Sequence, residues 1–237
     1  MARASVNSSY SGARWQQAPT QLSNTETARM AALFEERLNL PYSLCWHLAS
    51  LGLHDETIGD FLDPKVRTSL PDPYIMKDAE HAVNLIKDII KKKQPIGLFG
   101  DYDVDGACSA ALFRLVLGAF GVPVWCHIPD RFKEGYGPNL EALKALKAQG
   151  AELILTVDCG ITAHAPLAAA AEEGLSLIVI DHHKAGVVLP RAEAVVYPNR
   201  IDDDSGLGHL CATAVCFLVL AGVCLLYTSD AADEKYR

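Results

Sequence analysis

No two of the seven cysteines (Cys45, Cys108, Cys126, Cys159, Cys211, Cys216 and Cys224) form a CxxC pair, and their number is odd. This argues against a disulfide framework and a structural zinc site, and leaves most of them as buried thiols of a reducing cytoplasm. An excess of positive charge is also missing: Lys plus Arg is 21 against 29 for Asp plus Glu, a formal net charge of −8. An acidic chain is a poor general polyanion binder, so nucleic acid would have to be met by a local basic patch or by bound cations. The polar N-terminal stretch lacks an apolar h-region, so no secretory leader is expected. Internal repeats are absent. One long apolar run does occur, "LCATAVCFLVLAGVCLLY" from Leu210 to Tyr227. It is long enough for a marginal membrane span. The Gly-rich turn before it and the lack of Lys or Arg on that side favour a buried core helix, so no membrane partner is expected.

What is present is enough for a sizeable core: 237 residues, half of them hydrophobic. Residues 1–27 read as a flexible lead-in. Residues 28–94 read as a helical region, with Thr25 or Thr27 as the cap of its first helix. Its last segment, "DPYIMKDAEHAVNLIKDIIKKK", carries one apolar stripe and ends in three lysines that suit a helix C-terminus. From residue 95 short apolar runs alternate with helical patterns: "PIGLFG", "VPVWCHI", "AELILTVDCG", "LSLIVIDHH" and "AEAVVYPN" are the expected strands. The expected fold is therefore α/β, a doubly wound, mainly parallel sheet preceded by a helical N-terminal region, with the sheet domain over 95–223. The segment 224–237 breaks with the composition before it and reads as doubtful, a non-native join.

The acidic and imidazole groups gather at strand ends. Asp101 follows the first strand, with Asp103 and Asp105 behind it in "GDYDVDG"; Asp158 ends "LILTVD"; Asp181, His182 and His183 end "LIVIDHH". The carboxyl ends of parallel strands form one crevice, where ligands bind. Carboxylates held that close raise one another's pKa unless a cation neutralises them. An oxygen-rich set with one or two imidazoles suits Mn2+ or Mg2+. Alternation in an extended segment would turn Asp101, Asp103 and Asp105 to one side. Read alone, "DYDVDG" is also an acidic loop, a helix cap or the start of a calcium loop, but Leu112 stands where a calcium loop needs Glu. A receiver-like signalling domain also clusters aspartates at strand ends, but it has no need of "DHH".

"GDYDVDG", "TVDCGI" and "VIDHH", in this order and spacing, resemble the motifs of the DHH phosphoesterase superfamily. "IPDRFKEGYGPN", "YPNRIDDDSGLGHLCATAV" and the N-terminal "LASLGLHDETIGDFLDP" resemble its RecJ branch, single-strand-DNA-specific 5′→3′ exonucleases. The resemblance covers roughly residues 28–223. It implies metal ligation by Asp103, Asp105, Asp158 and His182, with Asp101 in or beside the same set. His183 would lie near the scissile phosphate, and Asp181 would orient its neighbours. It further implies two-metal phosphodiester hydrolysis, with water attacking phosphorus in line and no protein nucleophile. Single-stranded DNA would be the substrate and replication or repair proteins the partners.

Arg131, Lys133 and Tyr136 lie on a glycine-flexed loop that suits a single strand's backbone and bases, or is simply an exposed connection. "SGLGHL" places glycines before a helix start, a ready anion site, with His209 as a phosphate contact or an ordinary helix-start residue. The branch carries a further acidic motif, a second domain and an oligonucleotide-binding barrel that this chain does not reach. Ala214 stands where its members usually have Gly. The chain is therefore expected to be a C-terminally truncated fragment. Two other readings stay open on the residues: a sister phosphoesterase acting on oligoribonucleotide, cyclic dinucleotide or pyrophosphate, and a catalytically inactive interaction module.

Overall fold

A computed structural model of the protein describes residues 10–12 and 22–234. These fall into two compact units that divide between Leu70 and Pro71. The expected lead-in lies mostly outside the described residues. Its last part is helical: α1 spans Asn24–Leu38 and is capped by Ser23, neither Thr25 nor Thr27. The Ser23 hydroxyl accepts from the Glu26 N–H at 3.3 Å, and the Glu26 carboxylate accepts from the Ser23 N–H at 3.0 Å. This is a reciprocal capping box, and a Ser with Glu three residues on was its signal. Thr27 is buried and donates its hydroxyl to the Ser23 carbonyl. α2 (Tyr42–Ser50), α3 (Ile58–Leu62) and α4 (Val66–Ser69) complete the first unit. Ala31, Phe34, Cys45, Leu48, Ala49 and Ile58 form its core.

The second unit begins with α5 (Ala79–Lys92), which the sequence had grouped with the N-terminal helices. Its stripe of Ala79, Ala82, Val83, Ile86 and Ile90 packs into the core of the sheet. An amphipathic stripe states that a helix needs a partner without stating which one. Then follow β1 (Ile96–Gly100), α6 (Val104–Ala119), β2 (Val124–His127), α7 (Leu140–Ala148), β3 (Leu153–Val157), α8 (His164–Glu172), β4 (Leu177–Ile180), β5 (Ala194–Val196) and α9 (Ala212–Glu234). The five strands form one parallel sheet in the order β2-β1-β3-β4-β5.

Alternate residues of each strand serve opposite faces. Ile96, Leu98, Leu153, Leu155, Val157, Ile178 and Ile180 meet α5, α6 and α9. Phe99, Ile154, Leu177 and Val179 meet α7 and α8. Covering on both faces is why the strands lack polar alternation. α9 buries Val215, Cys216, Leu218, Val219, Leu220 and Val223 in this core and runs on to Glu234 with no break at residue 223. Among the described residues no helix is long and apolar enough to cross a membrane.

Two features of the sheet position the site. The order reverses between β1 and β3, whose connections leave in opposite directions, and this opens a crevice at their carboxyl ends. The register also pairs Gly100 with Val157, Val157 with Ile180, and Ile180 with Val196. The next residues on β1, β3 and β4 are Asp101, Asp158 and Asp181. Neighbouring strands lie about 4.8 Å apart, so the register alone sets three aspartates in a row across the sheet.

Candidate metal centre

Asp101, Asp158 and Asp181 are all buried at the strand ends. The "DYDVDG" segment does not continue as an extended chain. It turns at Tyr102, and Asp103 becomes the N-cap of α6, its carboxylate accepting from the Gly106 N–H at 3.0 Å. Asp105 therefore sits in the first helical turn, and no strand-like alternation aligns the three aspartates. Gly106 is required by the closeness of this turn to β1: a Cβ there would lie 2.5 Å from the Asp101 carbonyl oxygen and 2.6 Å from its nitrogen.

Ligand atoms of Asp101, Asp103 and Asp158 come within 4.8 Å of one another, and so do those of Asp158, His182 and His183. Asp158 belongs to both groups. Its backbone is left-handed, with φ 59°, which carries the chain sharply off β3. Both of its carboxylate oxygens are buried, with no hydrogen-bond partner among the described residues. Oδ1 lies 3.3 Å from His182 Nε2 and 3.9 Å from His183 Nδ1. Burial, reinforced by the charges of Asp105 and Asp103, pushes the Asp158 carboxyl up to about 8. Burial and Asp103 likewise raise Asp101, whose carboxylate accepts from the Tyr102 N–H. A buried, partnerless carboxylate between two acids and two imidazoles is costly without a cation and well suited to one. The oxygen and nitrogen donors fit Mn2+ or Mg2+.

The sequence had set His183 apart from the ligands; here its ring stands with Asp158 and His182. Asp181 holds it there. Asp181 Oδ1 accepts from the His182 N–H (2.7 Å), the His183 N–H (3.1 Å) and His183 Nδ1 (2.8 Å), while Oδ2 accepts from the Ile161 N–H at 3.0 Å. The nitrogen that Asp181 engages, Nδ1, is also the one that lies 3.9 Å from Asp158 Oδ1. On the other side of the pair, Asn199 of the "YPNR" run donates to the His182 carbonyl at 2.7 Å. The next loop presses on Asn199 so closely that a Cβ at Gly208 would lie 2.5 Å from its Oδ1.

Asp105 is used differently. Its carboxylate accepts from the Ala212 and Thr213 N–H groups, each at 2.8 Å, and from the Thr213 hydroxyl. Burial pushes its pKa up, but the bonds from Thr213, Ala212 and Cys211 outweigh it and hold the group below the usual range. Oδ2 lies 3.7 Å from His182 Nε2. The helix start expected to receive a phosphate is therefore filled by the chain's own carboxylate. His209 turns its Nδ1 to the Gly206 carbonyl, 3.2 Å away, within its own loop.

The loop between β2 and α7 reaches the centre through aromatic rings. Tyr136 stands edge-on to His183, with centroids 6.1 Å apart, and edge-on to Tyr102 at 6.4 Å. The Arg131 guanidinium lies 5.1 Å from the Tyr102 centroid and 5.8 Å from that of Phe132. Lys133 pairs with Asp130 at 3.2 Å. Glu134 fastens the loop, accepting from the Asp130 N–H (2.9 Å), His127 Nε2 (2.8 Å) and Asn139 Nδ2 (3.2 Å). Tyr102, Phe132, Glu134, Asn199 and Thr213 were not singled out from sequence. All five lie in segments quoted as motifs, but no local signal marks which of their side chains the fold brings to the centre.

Residues 95–235, more than half the chain, match the DHH family, N-terminal domain. The chain belongs to the DHH family. Among curated proteins it is 43% identical over 129 residues to the single-stranded-DNA-specific exonuclease RecJ of Bacillus subtilis, covering 54% of this chain and 16% of that protein. It is 39% identical over 142 residues to the RecJ exonuclease of Salmonella typhimurium, covering 60% of this chain and 25% of that protein. The chain thus spans a quarter or less of the length of these relatives. The fold is similar to that of RecJ from Thermus thermophilus in complex with Mn2+, with a TM-score of 0.64 and 27% identity over 86% of this chain and 28% of the other. A second crystal structure, of exonuclease RecJ bound to manganese, gives 0.57 and 35% over 62% of this chain and 37% of the other. The DHH match begins at the residue before β1 and takes in every aspartate and histidine of the centre.

Proposed function

We propose that this chain hydrolyses phosphodiester bonds in single-stranded DNA from the 5′ end, using Mn2+ or Mg2+. The observation that carries the reading is the Asp158 carboxylate, buried, without a hydrogen-bond partner among the described residues and shared by both donor groups. Similarity to RecJ exonucleases supports the substrate, and the 5′ polarity rests on that resemblance alone.

Asp101, Asp103 and Asp158 would hold one cation. Asp158, His182 and His183 would hold a second, with Asp105 Oδ2, 3.7 Å from His182 Nε2, as a further ligand. Bound divalent cations supply Lewis-acid activation of water and neutralise charge on the departing oxygen. The chain's own part is positioning. Asp181 holds the His183 ring in place through its Nδ1. Arg131, braced between Tyr102 and Phe132, offers a fixed cation to a phosphate, and Lys133 adds charge at the loop tip. Tyr136 presents an aromatic surface beside His183 for a base. His209 receives no role in this scheme.

The test is degradation of 5′-labelled single-stranded DNA by the chain in Mn2+, compared with Asp103→Ala/His182→Ala. Loss of label from the wild type alone supports hydrolysis at this centre. Equal rates for the two proteins would refute it.

A further inference from the structure

We propose that Thr213 is the positioning residue for Asp105, and that the first turn of α9 leaves only one oxygen of that carboxylate, Oδ2, open toward the metal centre. The inference rests on the metal reading of the centre and adds a device that joins it to α9.

An ionised carboxylate has about four acceptor positions, two on each oxygen. Thr213 fills both positions on Oδ1, one with its N–H at 2.8 Å and one with its hydroxyl. The Ala212 N–H takes one position on Oδ2, also at 2.8 Å. The Cys211 thiol reaches the carboxylate as well, as a weak donor. Oδ2 thus takes a single short bond, from the backbone, where Oδ1 takes two, and it lies 3.7 Å from His182 Nε2. Asp158, with neither oxygen hydrogen-bonded among the described residues, meets the same nitrogen at 3.3 Å.

The hydroxyl that does this is itself held. The Ser109 hydroxyl donates to Thr213 Oγ1 at 3.4 Å, and the Asp105 backbone carbonyl, 3.0 Å away, is a second acceptor for the same Thr213 proton. Ser109 is fully buried on α6, one turn on from Asp105. The arrangement therefore spans α6 and α9. Asp105 caps α9 from outside that helix, and the positive end of α9 in turn fixes a carboxylate at the edge of the centre. Coupling of this kind is reciprocal: what orders Asp105 for a cation, a bound cation orders for α9.

The test is a Mn2+ titration of the whole chain by calorimetry, on wild type, Thr213→Val and Thr213→Ser. Valine keeps the shape and the N–H and removes the hydroxyl; serine restores it. Removing a partner of a metal ligand typically weakens metal binding by roughly 10–100-fold, and that range is expected for Thr213→Val, with recovery in Thr213→Ser. Thr213→Ala replaces the valine variant should the latter fail to fold, with the same expectation. A folded valine or alanine variant that binds Mn2+ as the wild type does overturns the proposal and leaves the metal centre standing. So does a serine variant no tighter than valine. A wild type that takes up no Mn2+ overturns both.

Discussion

Asp181 and His183 meet twice at one oxygen: Oδ1 of the aspartate accepts the histidine's backbone N–H at 3.1 Å and lies 2.8 Å from its ring Nδ1. Two bonds from one residue to one atom fix both the backbone turn after β4 and the orientation of the imidazole. Asp181→Asn keeps the size but replaces one of the two acceptor oxygens with an NH2 donor and removes the charge. We expect Mn2+ affinity to fall roughly 10–100-fold, and stability to fall by about 1.5–3 kcal/mol, the usual worth of a hydrogen bond to a charged group. Calorimetry and thermal melting measure the two. Unchanged Mn2+ affinity would remove Asp181 from the account.

The Asp158 carboxyl predicts a pH dependence. Its folded pKa is raised to about 8 in the metal-free chain, above the ordinary carboxylate value of about 4. Between these values the folded state holds a proton that the unfolded state has released. Stability of the metal-free chain must then fall as pH rises from about 4 to about 8, and level off above that for this group. Asp158→Asn should flatten the slope and raise the melting temperature at pH 8. Mn2+ binding should tighten over the same window and release protons, seen as a buffer-dependent calorimetric heat. A pH-independent Mn2+ affinity between pH 6 and 8 contradicts this.

Gly106 lets α6 begin against the end of β1. Gly106→Ala would place a methyl 2.5 Å from the Asp101 carbonyl oxygen, and backbone on both sides leaves little room to yield. Overpacking of this kind costs about 1–3 kcal/mol or more, and the displacement would carry Asp101 and Asp103 apart. Denaturant unfolding should show the loss. Gly12→Ala, where nothing lies within 4 Å of an added Cβ, tests space rather than composition, although its φ of +75° adds its own strain.

Much of this was legible in the residues, for a physical reason in each case. Apolar runs such as Leu153–Val157 with acids at their ends implied parallel strands covered on both faces, and chain order with strand polarity then brought Asp101, Asp158 and Asp181 to one edge. What escaped were the long-range choices. The stripe of α5 fits any apolar surface, so its place in the sheet core could not be read from its period. The three aspartates of "DYDVDG" share one motif but not one geometry, because Asp103 stops the extended chain by capping α6. Asp105 meets α9 more than a hundred residues away, a contact without any local signal. Tyr102 stands between two aspartates, and only the fold brings Arg131 over its ring.

Glu134 separates the loop from the centre. It is the acceptor for Asp130, His127 and Asn139, and the bond from the Asp130 N–H, followed by that from His127, holds its pKa below the usual range. Glu134→Ala should loosen residues 130–139, making them a site of limited proteolysis, and should weaken single-stranded DNA binding while leaving Mn2+ affinity as it was. Fluorescence anisotropy with a labelled oligonucleotide follows the first effect and calorimetry the second. A parallel loss of both would place the loop within the metal centre itself.

The account stands on Asp158 as the carboxylate common to two cation positions. The most direct measurement is Mn2+ binding at pH 8 by calorimetry, wild type against Asp158→Ala, with folding of both followed by circular dichroism. The account predicts Mn2+ uptake by the wild type and its loss, to a Kd at least about 100-fold weaker, in the variant. A folded Asp158→Ala protein that binds Mn2+ as the wild type does contradicts it.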